Sequence, residues 1–136
     1  MRCMLFMYPG ITEDEWSPSA EAVERMMAYN EELTRAGVLL ALDGLQPPSK
    51  GARVRFAGGT PAATDGPFPE AREVVGGYWI LQVSSLAEAI EWARRCPANE
   101  HDMIEVRQVF EMSDFSEDVQ AVANLSRTPP EQTSDS

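Results

Sequence analysis

Histidine is all but missing from this chain, which has one, and cysteine is scarce, with two. Structural zinc is held by closely spaced sets of Cys and His. His101, Cys3 and Cys96 stand too few and too far apart to make such a set, so only carboxylates are left as metal ligands, and no metal or other cofactor is expected. Long apolar runs are also missing. Cys3 to Tyr8 is only strand length, well short of the ~20 residues that a membrane helix needs. Met1 to Tyr8 shows neither a long apolar signal core nor a small-residue cleavage site, so a cytoplasmic chain with two free thiols is expected. Positive charge is in short supply: 11 Lys and Arg against 22 Asp and Glu, a net charge of −11. A nucleic-acid surface needs a basic stripe to displace counterions from phosphates. Scattered cations in an acidic chain argue against direct nucleic-acid binding and against an anionic membrane. A small polar or anionic ligand held by a few local arginines remains open.

What is present suits one domain of 136 residues with a hydrophobic fraction of 43%. Residues 2–8 are apolar almost throughout, as in a strand covered on both faces, and Pro9-Gly10 ends it. Ser17-Pro18 reads as an N-cap with proline at the first helical position. Ala20 to Ala36 then places Val23, Met26, Met27 and Leu33 near one helical face, and Gly37 stops the helix. Val38 to Leu42 and Ala52 to Ala57 read as strands, and Thr60 to Thr64 as a short extended return. A further strand from about Glu73 to Val83 carries Gly76-Gly77, a candidate bulge. Ser85-Leu86-Ala87-Glu88 is a capping box opening a second helix. Met103 to Met112 is the last long strand.

This order, β-α-β, a short insertion, then β-α-β, predicts an α+β, ferredoxin-like sandwich over residues 1–112. Residues 113–126 are expected as a helical extension and 127–136 as a disordered tail. The first strand is apolar at both parities: Cys3, Leu5 and Met7 on one side, Met4, Phe6 and Tyr8 on the other. Two helices cover one sheet face only, so a homodimer is expected to cover the other.

Thr64-Asp65-Gly66-Pro67-Phe68-Pro69-Glu70-Ala71-Arg72-Glu73, followed by Gly76-Gly77, resembles the signature of YCII-related proteins of the DGPF type. Leu5-Phe6-Met7-Tyr8, Gly44-Leu45-Gln46-Pro47, Ala89-Ile90-Glu91-Trp92-Ala93 and Ile104-Glu105-Val106-Arg107 support it in the same order. The resemblance covers residues 2–112 and implies a dimeric α+β barrel. It also implies an occasional link to extracytoplasmic-function sigma factors. Some relatives in the wider group are thought to be enzymes through a His–Asp pair. Counting from Gly37 and from Trp92, those two positions fall at Met26 and Cys96 here. Methionine cannot shuttle a proton, so that pair is not available for catalysis.

Four residues stand as ligand-binding candidates: Asp65, Phe68, Arg72 and Arg107. Asp65 reads first as a turn residue bonding backbone amides, with Gly66 and Pro67 fixing the bend. Phe68 reads as a packing plug. Arg72 offers a bidentate anion contact or a rim salt bridge. Arg107 must be paired, by Glu105, by Asp43 or by a ligand. His101 is expected in a solvated loop, and Cys96, at the end of a helix before Pro97, is not expected to be a nucleophile. Two functions follow: a small-molecule-binding, regulatory module, or a cofactor-free isomerase, lyase or hydrolase acting on a small polar substrate.

Overall fold

A computed structural model of the chain describes residues 1–68 and 74–123. Among these residues, six strands and three helices follow in the order β1 (Arg2–Tyr8), α1 (Ala20–Arg35), β2 (Leu39–Gly44), β3 (Ala52–Ala57), β4 (Thr60–Asp65), β5 (Gly77–Gln82), α2 (Leu86–Arg94), β6 (Met103–Gln108) and α3 (Glu117–Ala123). Short 3₁₀ turns sit at Glu13–Glu15, Pro48–Lys50 and Met112–Asp114. β1, β2, β5 and β6 form one antiparallel sheet in the spatial order β2-β5-β1-β6, and β3 pairs with β4 alone. This is the ferredoxin-like βαββαβ arrangement with a β3–β4 hairpin inserted after β2.

β1 and β5 are apolar on both faces, yet burial alternates along them and shows which face is covered. Along β1, Cys3, Leu5 and Met7 are buried while Met4, Phe6 and Tyr8 are half-buried. The register places Leu5 opposite Trp79 and Val106, and Cys3 opposite Leu81. Opposed residues share a face, so Cys3, Leu5, Met7, Trp79, Leu81 and Val106 form the floor of the core. Tyr29 and Leu33 of α1 and Ala89 of α2 close it from above.

α1 begins two residues later than the sequence suggests. Its N-cap is Ser19, whose hydroxyl accepts the Ala22 amide at 3.1 Å, and Ser17-Pro18 lies ahead of the helix. Its end is as expected: Gly37 takes φ +73°, the left-handed conformation that stops helices. α2 starts at Ser85, which accepts the Glu88 amide at 3.1 Å, but Glu88 does not return to Ser85. Its carboxylate takes the amide and hydroxyl of Ser84, at 2.8 and 2.6 Å.

Two further expectations are corrected. The ladder irregularity lies in β2, between Leu39 and Ala41, where exposed Leu40 interrupts the pairing. Gly76-Gly77 is instead a place of close approach. A side chain on Gly76 would stand 2.8 Å from the Pro9 ring, and one on Gly77 would stand 3.0 Å from the Asp43 carbonyl oxygen. β6 also stops at Gln108, because Glu111 and Asp114 cap the following 3₁₀ turn. The foreseen tail, 127–136, lies outside the described residues.

Candidate functional site

A cleft of about 520 Å³ lies between the N-terminal half of α1 and the end of the sheet. The end of β1, the start of α1 and the distant loop before β6 build it. β1 ends at Pro9-Gly10, and the acidic 3₁₀ turn brings Trp16 back over the sheet end, where its indole N–H donates to the Leu45 carbonyl at 3.1 Å. The first turns of α1 supply Val23, Arg25, Met26 and Met27. The loop between α2 and β6 supplies Pro97, Asn99 and Asp102. A smaller cavity of about 220 Å³ shares Met7, Met26, Met27 and Gly76 with the first, and reaches Asn30 and Trp79.

The walls are held by a few polar locks. Asp102 spends both carboxylate oxygens on backbone amides, Gly10 at 3.0 Å and Asn99 at 2.8 Å. It thereby ties the end of β1 to the loop before β6. Gly10 is required there, since a side chain would stand 2.5 Å from the His101 carbonyl oxygen. Behind the cleft, the buried Trp79 indole donates to the Asn30 side-chain oxygen at 2.9 Å. Tyr29 meets the same indole edge-on at 5.9 Å and donates its hydroxyl to the Trp92 carbonyl at 2.7 Å. Burial raises the Tyr29 pKa, so it stays protonated.

Few groups in this region can move a proton. Met26, at the position the resemblance gives to histidine, packs against the core and lines the cleft. Cys96 is half-buried, and desolvation, with Asp102 adding to it, pushes its thiol up to about 11. His101 is exposed and holds φ +76°. Both cysteines are free thiols. Among the described residues, no three or more His, Cys, Asp and Glu gather where they could hold a metal ion.

The four candidates read from sequence do not converge. Asp65 is exposed at the end of β4, and among the described residues its carboxylate accepts no hydrogen bond. The bend beside it is held by backbone: the Gly66 amide donates to the Gly51 carbonyl at 3.0 Å. Phe68 lies under the Arg53 guanidinium, 3.9 Å from the ring centre, at the foot of the hairpin. Arg107 stands opposite Met4, on the sheet face away from the helices and the cleft. It is 70% exposed and pairs with Glu105 at 3.4 Å. Asp43, the other foreseen partner of Arg107, instead accepts the Tyr78 hydroxyl at 2.7 Å. Arg72 lies outside the described residues.

Sequence reasoning missed Trp16, Asn30 and Asp102, and it read Met27 as core although it is 57% exposed. A tryptophan set between an acidic turn and a helix cap was the available signal for the first.

A family model for the YCII-related domain matches residues 1–113. The chain belongs to the YCII-related family. An uncharacterized protein of Rhizobium meliloti (strain 1021) is 34% identical over 80 residues, which make up 56% of this chain and 64% of that protein. The matched stretch thus spans somewhat under two-thirds of this relative.

Proposed function

We propose that this YCII-related domain binds a small molecule with an apolar body and an anionic group in the cleft beside α1, and acts as a regulatory module. The cleft itself carries the reading. At about 520 Å³ it is within the usual range for small-ligand sites, and its lining is mainly apolar with a few polar groups. Arg25 lines it and has no ion pair among the described residues; of the two acids in the lining, Glu15 and Asp102, the second is already committed to two amides. The enzyme reading is weaker, because Met26 cannot transfer a proton and the Cys96 thiol is protonated at neutral pH. A binding module without an acid–base pair fits an output through a partner such as a sigma factor.

The second part of the reading is a homodimer. Met4, Phe6, Ile80 and Tyr78 lie half-buried on the sheet face opposite the one that carries the core. A second copy placed over this face would remove it from water.

A thermal-shift screen of small carboxylates and phosphates, each beside a neutral analogue, tests the binding reading. Specific ligands raise the melting temperature by mass action. The expected result is stabilisation by anionic compounds that Arg25→Ala abolishes. Equal stabilisation of the variant overturns the role of Arg25. NMR evidence that a stabilising compound is consumed transfers the reading to an enzyme.

A further inference from the structure

Among the described residues, the β3–β4 hairpin pairs with nothing but itself. Its root is firmly tied. A side chain on Gly66 would stand 1.8 Å from the Pro48 carbonyl oxygen, so the two backbones are in direct contact, and Ser49 donates its amide to Glu13 at 3.1 Å. Beyond the root, every residue of β4 is exposed, and Arg53 alone in β3 is half-buried.

The hairpin has two unlike faces. The register sets Val54 opposite Ala63 and Phe56 opposite Pro61, so these four share one face, with the Ala52–Asp65 pair at its root. Arg53 and Arg55 share the other with Thr64 and Ala62. Arg53 turns inward over Phe68, which leaves the apolar face to solvent. Phe56 is 82% exposed and Val54 53%. A lone two-stranded ribbon is marginal in water, and an apolar stripe on such a ribbon gains nothing unless another surface covers it.

We propose that this hairpin is an arm that lies on a second copy of the same chain, with Val54 and Phe56 as its apolar contacts. The inference rests on the homodimer reading and adds a second contact to it. Charge favours this occupant. From Lys50 to Asp65 the segment carries Lys50, Arg53 and Arg55 against one acid, in a chain of net charge −11. A second copy therefore offers the arm an acidic surface, whereas two cores alone repel. Symmetry also favours it: each copy has one uncovered arm and one half-buried apolar sheet face, and a two-fold arrangement provides both with partners at once.

Sedimentation equilibrium of the full chain and of Phe56→Asp tests this, with circular dichroism melting as the folding control. Phe56 is 82% exposed and is not among the residues of the core, so the variant is expected to remain folded. Its dimer dissociation constant is expected to rise at least ten-fold, roughly the effect of losing one well-packed contact. A second measurement places a photo-crosslinking phenylalanine analogue at position 56 in a mixture of ¹⁴N- and ¹⁵N-labelled chains. Crosslinked peptides of mixed label are expected. A dimeric wild type with an unaltered Phe56→Asp constant, or only same-label crosslinks, overturns the arm and leaves the sheet-face dimer standing. A monomeric wild type overturns both. Nucleic acid crosslinked at position 56 overturns the choice of occupant.

Discussion

Asn30 and Trp79 meet inside the protein, with the indole N–H of Trp79 donating to the Asn30 side-chain oxygen at 2.9 Å. Asn30 is the one buried polar residue among the described residues, and it joins α1 to β5 directly behind the cleft. A buried donor left unpaired costs about 1–3 kcal/mol. Asn30→Leu is therefore expected to lower stability by about that amount, read as a shift in urea midpoint at constant slope. A midpoint equal to wild type would show that water replaces the carboxamide.

Gly66 explains itself through Pro48. The glycine permits a backbone contact that a β-carbon would block, 1.8 Å from the Pro48 oxygen and 2.4 Å from its carbonyl carbon. Both obstacles are backbone, so relief requires the hairpin root to move. Gly66→Ala is expected to destabilise by more than the ~1 kcal/mol of an ordinary glycine effect. Gly44→Ala, with nothing within 4 Å, is the matched control. Similar urea midpoints for the two variants would remove the steric account.

Asp65 behaves differently from its glycine neighbour. The sequence suggests an aspartate that bonds local amides, for which removal costs about 1–2 kcal/mol. In the fold its carboxylate is exposed and accepts no hydrogen bond from the described residues. Both Asp65→Asn and Asp65→Ala are accordingly expected to stay within about 0.5 kcal/mol of wild type. A larger loss for alanine than for asparagine, measured by urea denaturation, would restore the turn-bonding role.

The fold was legible where one local rule decided each element. The doubly apolar β1, the hydroxyl of Ser85 at the start of α2 and the left-handed Gly37 each needed only neighbouring residues. Rules that offer two equal answers gave way. Ser17 and Ser19 both flank Pro18, and it is Ser19 that accepts the Ala22 amide. Parity correctly grouped Arg107 with Glu105, but parity does not say which face the helices cover. The cleft was illegible for a different reason. Trp16, Met27, Gly76 and Asp102 have no shared motif, and only closure of the sheet brings them together.

Acid should weaken the junction between β1 and the C-terminal segment. Glu111 is held below the ordinary glutamate value, first by its hydrogen bond from Arg2, at 2.7 Å. Because its folded pKa is depressed, its contribution is fully present above the unfolded value near 4.5. It is lost as pH falls through the folded value. Urea midpoints measured from about pH 6 down to about pH 3 should therefore fall less steeply for Glu111→Gln than for wild type. Parallel profiles would mean that the exposed pair is screened away by solvent.

Thiol chemistry provides the last prediction, and it bears on what the cleft can do. Cys96 sits just beyond α2, where burial pushes its thiol up to about 11, with Asp102 opposing ionisation further. Burial also raises Cys3, which is fully enclosed beneath the helices. The thiolate is the reactive form, so a disulfide reagent such as Ellman's should label the native protein slowly at pH 8. Full labelling should follow once urea unfolds the chain. The rate at Cys96, isolated in a Cys3→Ser variant, should climb through pH 10 without a plateau. Fast native labelling at pH 8 would mean a thiolate that the present environment does not stabilise. It would also reopen Cys96 as a nucleophile and, with it, the enzyme reading of the cleft.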